Sequence, residues 1–435
     1  MSKPTRRQFI KSGAGAVGAG MMLPVLNRTA AGTTLVKQLA DDVVGNGNVL
    51  VIVELAGGND GLNTIVPLQQ YDIYASFRTR IAIPKDQVRP LYGSTTMGLA
   101  PSLDAIKPLV DAGKMAVIQA VHYPVPNLSH FSSRDIYYSG DPNPNITTAN
   151  RSGWIGRHSA LFGNKDNALD TVSIGAISTT LYASGAKVVG ISSDSNGNPT
   201  GYQFNTDNSY PGDRNNQILA AKVMDSTASA LPYVDLMEAA AIDAMNSADL
   251  VAQANSSYTS PVTYPSGNSF AAGLKLIAKL ATASPTLGTR VFYISTGGYD
   301  THANQVNPNN PNDGSTQAVL LSRVAAGLKA FYDDLVAHNM SNKVIILIWS
   351  EFGRRVADNA SNGTDHGTAN NIFVIGDRVK GGVYGADPSL TDLDRGNLKW
   401  RIDFRDVYAT IIRDWLGGDP VPVLNGNFNN LGFIA

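Results

Sequence analysis

Five short runs along the chain are almost wholly apolar: "NVLVIVELA" (48–56), "KMAVIQAV" (114–121), "TRVFYIST" (289–296), "KVIILIWS" (343–350) and "NIFVIG" (371–376). Each is rich in β-branched residues and nearly continuous rather than alternating, the pattern of strands covered on both faces in a parallel sheet. Helical periodicity lies between them. It covers "PSLDAIKPLVDAG" (101–113), with Gly113 as its stop, "NSFAAGLKLIAKLATA" (268–283), "STQAVLLSRVAAGLKAFYDDLVAHN" (315–339) and "DFRDVYATIIRDWLGG" (403–418). Helices repeatedly preceding strands predict an α/β sheet with helices on both faces. The stretch from about 132 to 265 differs. It is rich in Asn, Ser, Thr, Gly and Tyr, and it reads as a loop-rich insertion with some helix at "VDLMEAAAIDAM", forming a lid or cap over the sheet. No internal repeat emerges.

In open α/β sheets, ligands gather beyond the carboxyl ends of the strands. The first apolar run leads into "LAGGNDGLN" with Asp60, and the second into "HYPVPNLSHF" with Ser129 and His130. The third leads into "STGGYDTHANQ" with Asp300 and His302, and the fourth into "WSEFGRR" with Glu351, Arg354 and Arg355. "GTDHGTAN" (363–370), with Asp365 and His366, follows just before the fifth run. Each segment has a plainer reading. Asp60 can form a turn, "YDTH" can cap a helix, Glu351 can pair with a neighbouring arginine, and Ser129 can cap the helix that "LSHFSSRD" begins. His122, His158 and His338 read as structural. Five such segments at equivalent ends favour a shared site.

The chemistry that this set suits is divalent-cation binding, because carboxylate oxygen and neutral imidazole are ligands for hard and borderline ions. Asp60, Asp300, His302, Glu351, Asp365 and His366 can hold one or two ions, of zinc, manganese, calcium or magnesium. A pair about 4 Å apart can clamp the attacking and leaving oxygens of a displacement at phosphorus or sulfur. A serine hydroxyl against such an ion loses its proton more readily, which makes Ser129 a candidate nucleophile. Arg354 or Arg355 can hold a phosphate or sulfate oxygen.

The beginning of the chain adds a location. "TRRQFIKSGAGAVGAGMMLPVLNRTAAG" has paired Arg6 and Arg7, a small-residue apolar stretch and a "TAA" cleavage site, the pattern of a twin-arginine export signal over residues 1–31. The expectation is a periplasmic or secreted protein that has passed through the twin-arginine machinery, with the remaining chain, 32–435, as one domain. The first 31 residues hold five of the 34 Lys/Arg and no Asp or Glu, which leaves 29 basic against 35 acidic residues. No basic patch points to nucleic acid, and no later segment has the length and apolarity of a membrane span. There is no cysteine, so disulfides, thiol chemistry and Cys-ligated zinc are excluded.

The segments "ELAGGNDGLNT", "GLAPSL", "PNLSHFSS", "SGWIGR", "GGYDTHANQ", "SEFGRR" and "TDHGTANNIFVIG" together resemble the exported family known as domain of unknown function 1501. That family looks like a branch of the alkaline phosphatase and sulfatase superfamily. The resemblance implies an alkaline phosphatase-like three-layer α/β/α sandwich, with a mostly parallel sheet and a metal site at the strand ends. It implies a metal-binding role for Asp60, Asp300, His302 and His366, a nucleophile at Ser129, and Glu351 where the superfamily has the Asp of an Asp-His pair. Phe352 stands in place of that pair's His. Ser129 is followed by "HFSSR", without the proline of the formylglycine context, which disfavours a formylglycine sulfatase. The expected activity is hydrolysis of a phosphate ester, or a related sulfate or phosphonate ester, on a small-molecule or glycan substrate. The alternative is a non-catalytic exported binding or surface-associated protein on the same fold.

Overall fold

Strand β1 (Val49–Leu55) is buried along its whole length, and its side chains divide between two cores. Val49, Val51, Val53 and Leu55 join one cluster, while Leu50 and Ile52 join another. This is the two-faced burial that its continuous apolar run requires. A computed structural model describes residues 47–144, 152–201, 232–307, 309 and 316–435, of which Asn48–Ala435 belong to one compact unit. The expected export signal lies outside the described residues.

The other strands of the main sheet are β2 (Met115–His122), β3 (Thr171–Ile174), β4 (Val189–Ser193), β5 (Pro199–Thr200), β6 (Val291–Thr296), β7 (Val344–Trp349), β8 (Asn370–Ile375), β9 (Gly382–Tyr384) and β10 (Ile402–Asp403). They form a ten-stranded sheet in the order β9-β2-β8-β7-β1-β6-β3-β4-β5, with β10 also on β2. β1 is parallel to β6 and β7, with Val51 opposite both Phe292 and Ile346.

Helices cover both faces. α1 (His130–Ser139), α2 (Trp154–Phe162) and, near the chain end, α6 (Phe404–Ile411) pack on the Leu50 side. α4 (Ser269–Thr282) and α5 (Gln317–Ala337) pack on the Val51 side, and α3 (Pro232–Ser257) joins them through Val251 and Ala254. The result is the expected α/β/α layering. Each fully buried Val, Leu or Ile contributes about 1.5–3 kcal/mol. The side chains of Asn268, Thr316 and Asp403 accept N–H groups at the starts of α4, α5 and α6. Among the described residues, no helix is long and apolar enough to cross a membrane.

Three expectations need correction. First, β8 runs antiparallel to both β7 and β2. A parallel return needs a crossover of a dozen or more residues, usually helical, and no helix forms between Trp349 and Asn370. Second, the expected insertion at 132–265 is not separate from the sheet. β3 pairs with β6, and β4 with β3, both in parallel. Third, 101–113 is a 3-10 turn over Pro101–Ile106 followed by a short helix over Lys107–Asp111. Pro108 lacks the N–H and has the fixed ring that interrupt a continuous helix.

Candidate metal centre

The antiparallel course of β8 answers why a scarce histidine sits just before it. The start of β8 lies beside the end of the parallel strands, so the preceding loop 363–369 meets the loops that leave β1, β6 and β7. These loops pack backbone to backbone, which calls for glycine at two places. A Cβ on Gly57 would lie 2.4 Å from the Asp300 N atom, and one on Gly363 would lie 2.3 Å from the His302 carbonyl oxygen. Gly57 also has φ +122°, a value open to glycine and strained for other residues.

Three of the chain's six histidines meet here. The Nδ1–H of His366 donates to the Leu128 carbonyl at 2.8 Å. The Nδ1–H of His130, the first residue of α1, donates to Glu351 Oε1 at 2.8 Å. The Nδ1 of His302 faces Asp365 Oδ1 at 3.4 Å. All three partners can accept, so a neutral ring that donates to its partner carries the proton on Nδ1 and has its lone pair at Nε2, the tautomer that a metal ligand needs.

The Nε2 atoms converge on one carboxylate. Asp300 Oδ1 is 3.2 Å from His302 Nε2 and 3.3 Å from His366 Nε2, and Asp300 Oδ2 is 3.4 Å from His130 Nε2. The His302 and His366 Nε2 atoms are 2.9 Å apart. His130 Nε2 is buried and makes no hydrogen bond. His130, Asp300 and His366 offer ligand atoms that all lie within 4.8 Å of one another, and His302 adjoins this group through Asp300 and His366 without belonging to it. Lone pairs facing each other at such distances repel unless a proton or cation lies between them. A tetrahedral ion with ligands at about 2.0–2.1 Å sets those ligands about 3.3 Å apart, so the donor types and the 3.2–3.4 Å separations of the Nε2 atoms from Asp300 fit a small divalent cation.

Charge supports the arrangement. Burial pulls the Asp300 carboxyl upward, but the Arg354 guanidinium and the facing histidines outweigh it and hold the group below the usual carboxylate range. Burial likewise raises Glu351, and its bonds from His130 and the backbone bring it down overall. The hydrogen bond to Glu351 holds His130 above the usual imidazole range. His366 is pushed down by burial. Asp365 is low, first through the Asn359 amide.

The expected residues divide into three groups. Asp300, His302 and His366 contact one another, and Asp365 contacts His302. Glu351, expected as a ligand, is buried and engaged behind His130. Gly57 N donates to its two oxygens at 2.9 and 3.1 Å, and Oε1 also meets the His130 imidazole. Asp60, also expected as a ligand, is committed to a buried ion pair with Arg78. It accepts from Gln305 Nε2 at 2.6 Å as well, and it is absent from the convergent group.

Arg354 does not offer its guanidinium to a ligand. Its side chain is fully buried and donates to the carbonyls of Gly57, Gly58, Tyr299 and Thr364 and to Asp300 Oδ1 at 2.7 Å. Arg355 is exposed and adds its charge near Asp365. Ser129 is the exposed residue before α1, and its hydroxyl makes no capping bond. His122, His158 and His338 lie elsewhere. His122 is fully buried, His158 meets the Gly417 carbonyl, and His338 meets the carbonyls of Asp334 and Thr259.

Sequence reasoning gave His130 no role. The available signal was its position next to Ser129 at the start of a helical run, in the loop segment that follows the second apolar run.

A family model described as "Protein of unknown function (DUF1501)" matches residues 148–421. No curated protein matches the chain. Among solved structures, the chain is similar to Ps i-CgsB in complex with k-i-k-neocarrahexaose, at 10% identity over 88% of this chain and 73% of that one, with a TM-score of 0.41. It is similar to the PsFucS1 sulfatase from Pseudoalteromonas sp., at 12% identity over 92% and 74%, with a TM-score of 0.40. It is also similar to the lipoteichoic acid synthase LtaP from Listeria monocytogenes, at 10% identity over 91% and 79%, with a TM-score of 0.37. The family match spans well over half of the sequence, and the chain belongs to the DUF1501 family.

Proposed function

We propose that this protein is an exported, metal-dependent hydrolase that cleaves a phosphate ester, or a related sulfate or phosphonate ester, with Ser129 as nucleophile. The observation that carries the reading is the convergence of three imidazole Nε2 atoms on Asp300. His130, Asp300, His302 and His366 would hold the ion. Asp365 and Glu351 would orient His302 and His130 through their Nδ1–H groups, as outer carboxylates do for metal-bound histidines.

Two features support Ser129 as the nucleophile. It lies between Leu128, whose carbonyl holds His366, and His130, and its hydroxyl is not used as a helix cap. The first N–H groups of α1 have no partner within the helix and favour a bound anion. In the reaction, Ser129 Oγ forms a bond to phosphorus as the ester P–O bond breaks. The serine proton passes to solvent, and the departing alkoxide takes one from solvent. Water then cleaves the phosphoserine, releasing phosphate and restoring the hydroxyl. A bound divalent cation would make the serine hydroxyl more acidic and offset charge on the transferred group. Arg355, rather than the buried Arg354, would meet a non-bridging oxygen.

The test is Ser129→Ala on the full chain, with p-nitrophenyl phosphate as substrate. Loss of turnover with unchanged metal content is expected, and full retained turnover would remove Ser129 from the mechanism. The second reading, a metal-holding binding protein, draws on the complete engagement of Asp60 and Arg354 in structural bonds. Bound metal together with no turnover on a panel of phosphate and sulfate esters would favour it.

A further inference from the structure

We infer that the centre takes one ion, from the nitrogen-preferring borderline class typified by zinc, and that Phe352 and Arg354 exclude the second ion that the resemblance to alkaline phosphatases implies. The inference rests on the cation site proposed above and concerns its capacity and selectivity.

A second ion about 4 Å from the first needs donors of its own. The two buried carboxylates, Asp60 and Glu351, are already engaged on both oxygens. Asp60 Oδ1 accepts from Arg78 Nη2 at 3.0 Å and Leu62 N at 3.1 Å, and its Oδ2 accepts from Arg78 Nη1 and Gln305 Nε2. Stripping Asp60 would leave the buried Arg78 cation without its counter-charge. Glu351 receives Gly57 N on both oxygens, His130 on Oε1, and Ser350 Oγ on Oε2 at 3.2 Å. Asp365 gives its Oδ1 to Asn359 and His302 and lies half exposed at the rim, a single carboxylate with no buried donor beside it for a second ion.

Phe352 and Arg354 then close the space. The Phe352 ring is fully buried, with its centroid 4.8 Å from that of His130 and 4.7 Å from that of His366. It brings no lone pair to the position where the alkaline phosphatase pattern has histidine. Gly58 leaves room for it, since a Cβ there would lie 2.3 Å from the ring. Arg354 brings a permanent positive charge 2.7 Å from Asp300 Oδ1. That charge already neutralises the shared carboxylate, and it repels a further divalent ion.

The ion class follows from the donors. Three imidazoles and one carboxylate suit zinc and similar first-row ions, whereas calcium and magnesium select oxygen ligands.

The experiment uses the tag-free full chain, stripped with chelator and dialysed in parallel against zinc, manganese, magnesium and calcium chlorides. Bound metal per chain is counted by plasma mass spectrometry. One zinc per chain, retained through gel filtration and not displaced by a hundredfold excess of calcium or magnesium, is expected. Two zinc ions per chain would overturn the single-ion inference while leaving the cation site standing. Preferential retention of calcium or magnesium would overturn the assigned class. Retention of no metal at all would refute the cation site itself. Titration calorimetry on His302→Ala provides the link to the named donors. A drop in zinc affinity of tenfold or more supports the assignment, and an unchanged isotherm overturns it.

Discussion

Glu351 and His130, 221 positions apart in the chain, meet at 2.8 Å, and the carboxylate is almost fully buried while the imidazole is only partly so. The pair fixes which nitrogen of His130 keeps its proton. Replacing Glu351 with Gln would set an amide donor against the Gly57 N–H or against the imidazole N–H. Glu351→Gln is expected to lower zinc affinity about 10–100-fold with the fold retained. Zinc titration calorimetry beside circular dichroism checks this, and native affinity in the variant would refute the orienting role.

Arg354 holds the loops of the centre together through four carbonyls. Lysine has three donors on one nitrogen and cannot reach all four. Arg354→Lys is expected to cost about 2–4 kcal/mol, mostly from carbonyls left without partners rather than from the half-exposed Asp300 pair. Urea denaturation measures it. A change below about 0.5 kcal/mol would place the loops' cohesion elsewhere.

Asp60→Asn separates structure from ligation. Removing the charge leaves Arg78 buried without its counter-ion, a loss of about 3–5 kcal/mol. The folded fraction should bind metal at the native stoichiometry. A well-folded variant that had lost its metal would instead make Asp60 a ligand.

Buried His122 makes stability fall in acid. Its ring nitrogens have no hydrogen-bond partner, and burial pushes its pKa down to about 3, against about 6.5 in the unfolded chain. The unfolded state therefore binds the extra proton. The resulting stability is fully present above about pH 6.5 and is lost as the pH falls toward the folded value. Between pH 6.5 and 5 this residue accounts for about 2 kcal/mol. His122→Phe is expected to flatten the pH profile of unfolding by that amount over the same window. Parallel profiles for the two proteins would refute this. His158, pushed down by burial to about 4, acts with the same sign in both.

Much of the centre could be read from the sequence because it sits where unbroken apolar runs give way to glycine. "GGYD" and "GTDHG" place Asp300, Asp365 and His366 within two positions of a glycine. Other parts depended on distance. Arg78 lies in "SFRTR" with nothing local to distinguish it from Arg80, and its pairing with Asp60 across 18 residues turns an expected ligand into a structural ion pair. The burial of Arg354 likewise follows from carbonyls supplied by three separate loops.

His130 was overshadowed by the hydroxyl beside it, since a serine before a helix has an obvious chemical reading and the next residue has none until Glu351 arrives from the far loop. The strands Thr171–Ile174 and Val189–Ser193 were hidden because they are short and half polar, as strands toward a sheet edge can be.

The most direct measurement is anomalous diffraction at the zinc absorption edge from crystals of the zinc-loaded full chain. A single peak should appear about 2.0–2.2 Å from Nε2 of His130, His302 and His366 and from a carboxylate oxygen of Asp300. Zinc density absent from that point, or present only at other side chains, would contradict the assignment of the three histidines and Asp300 as a metal centre.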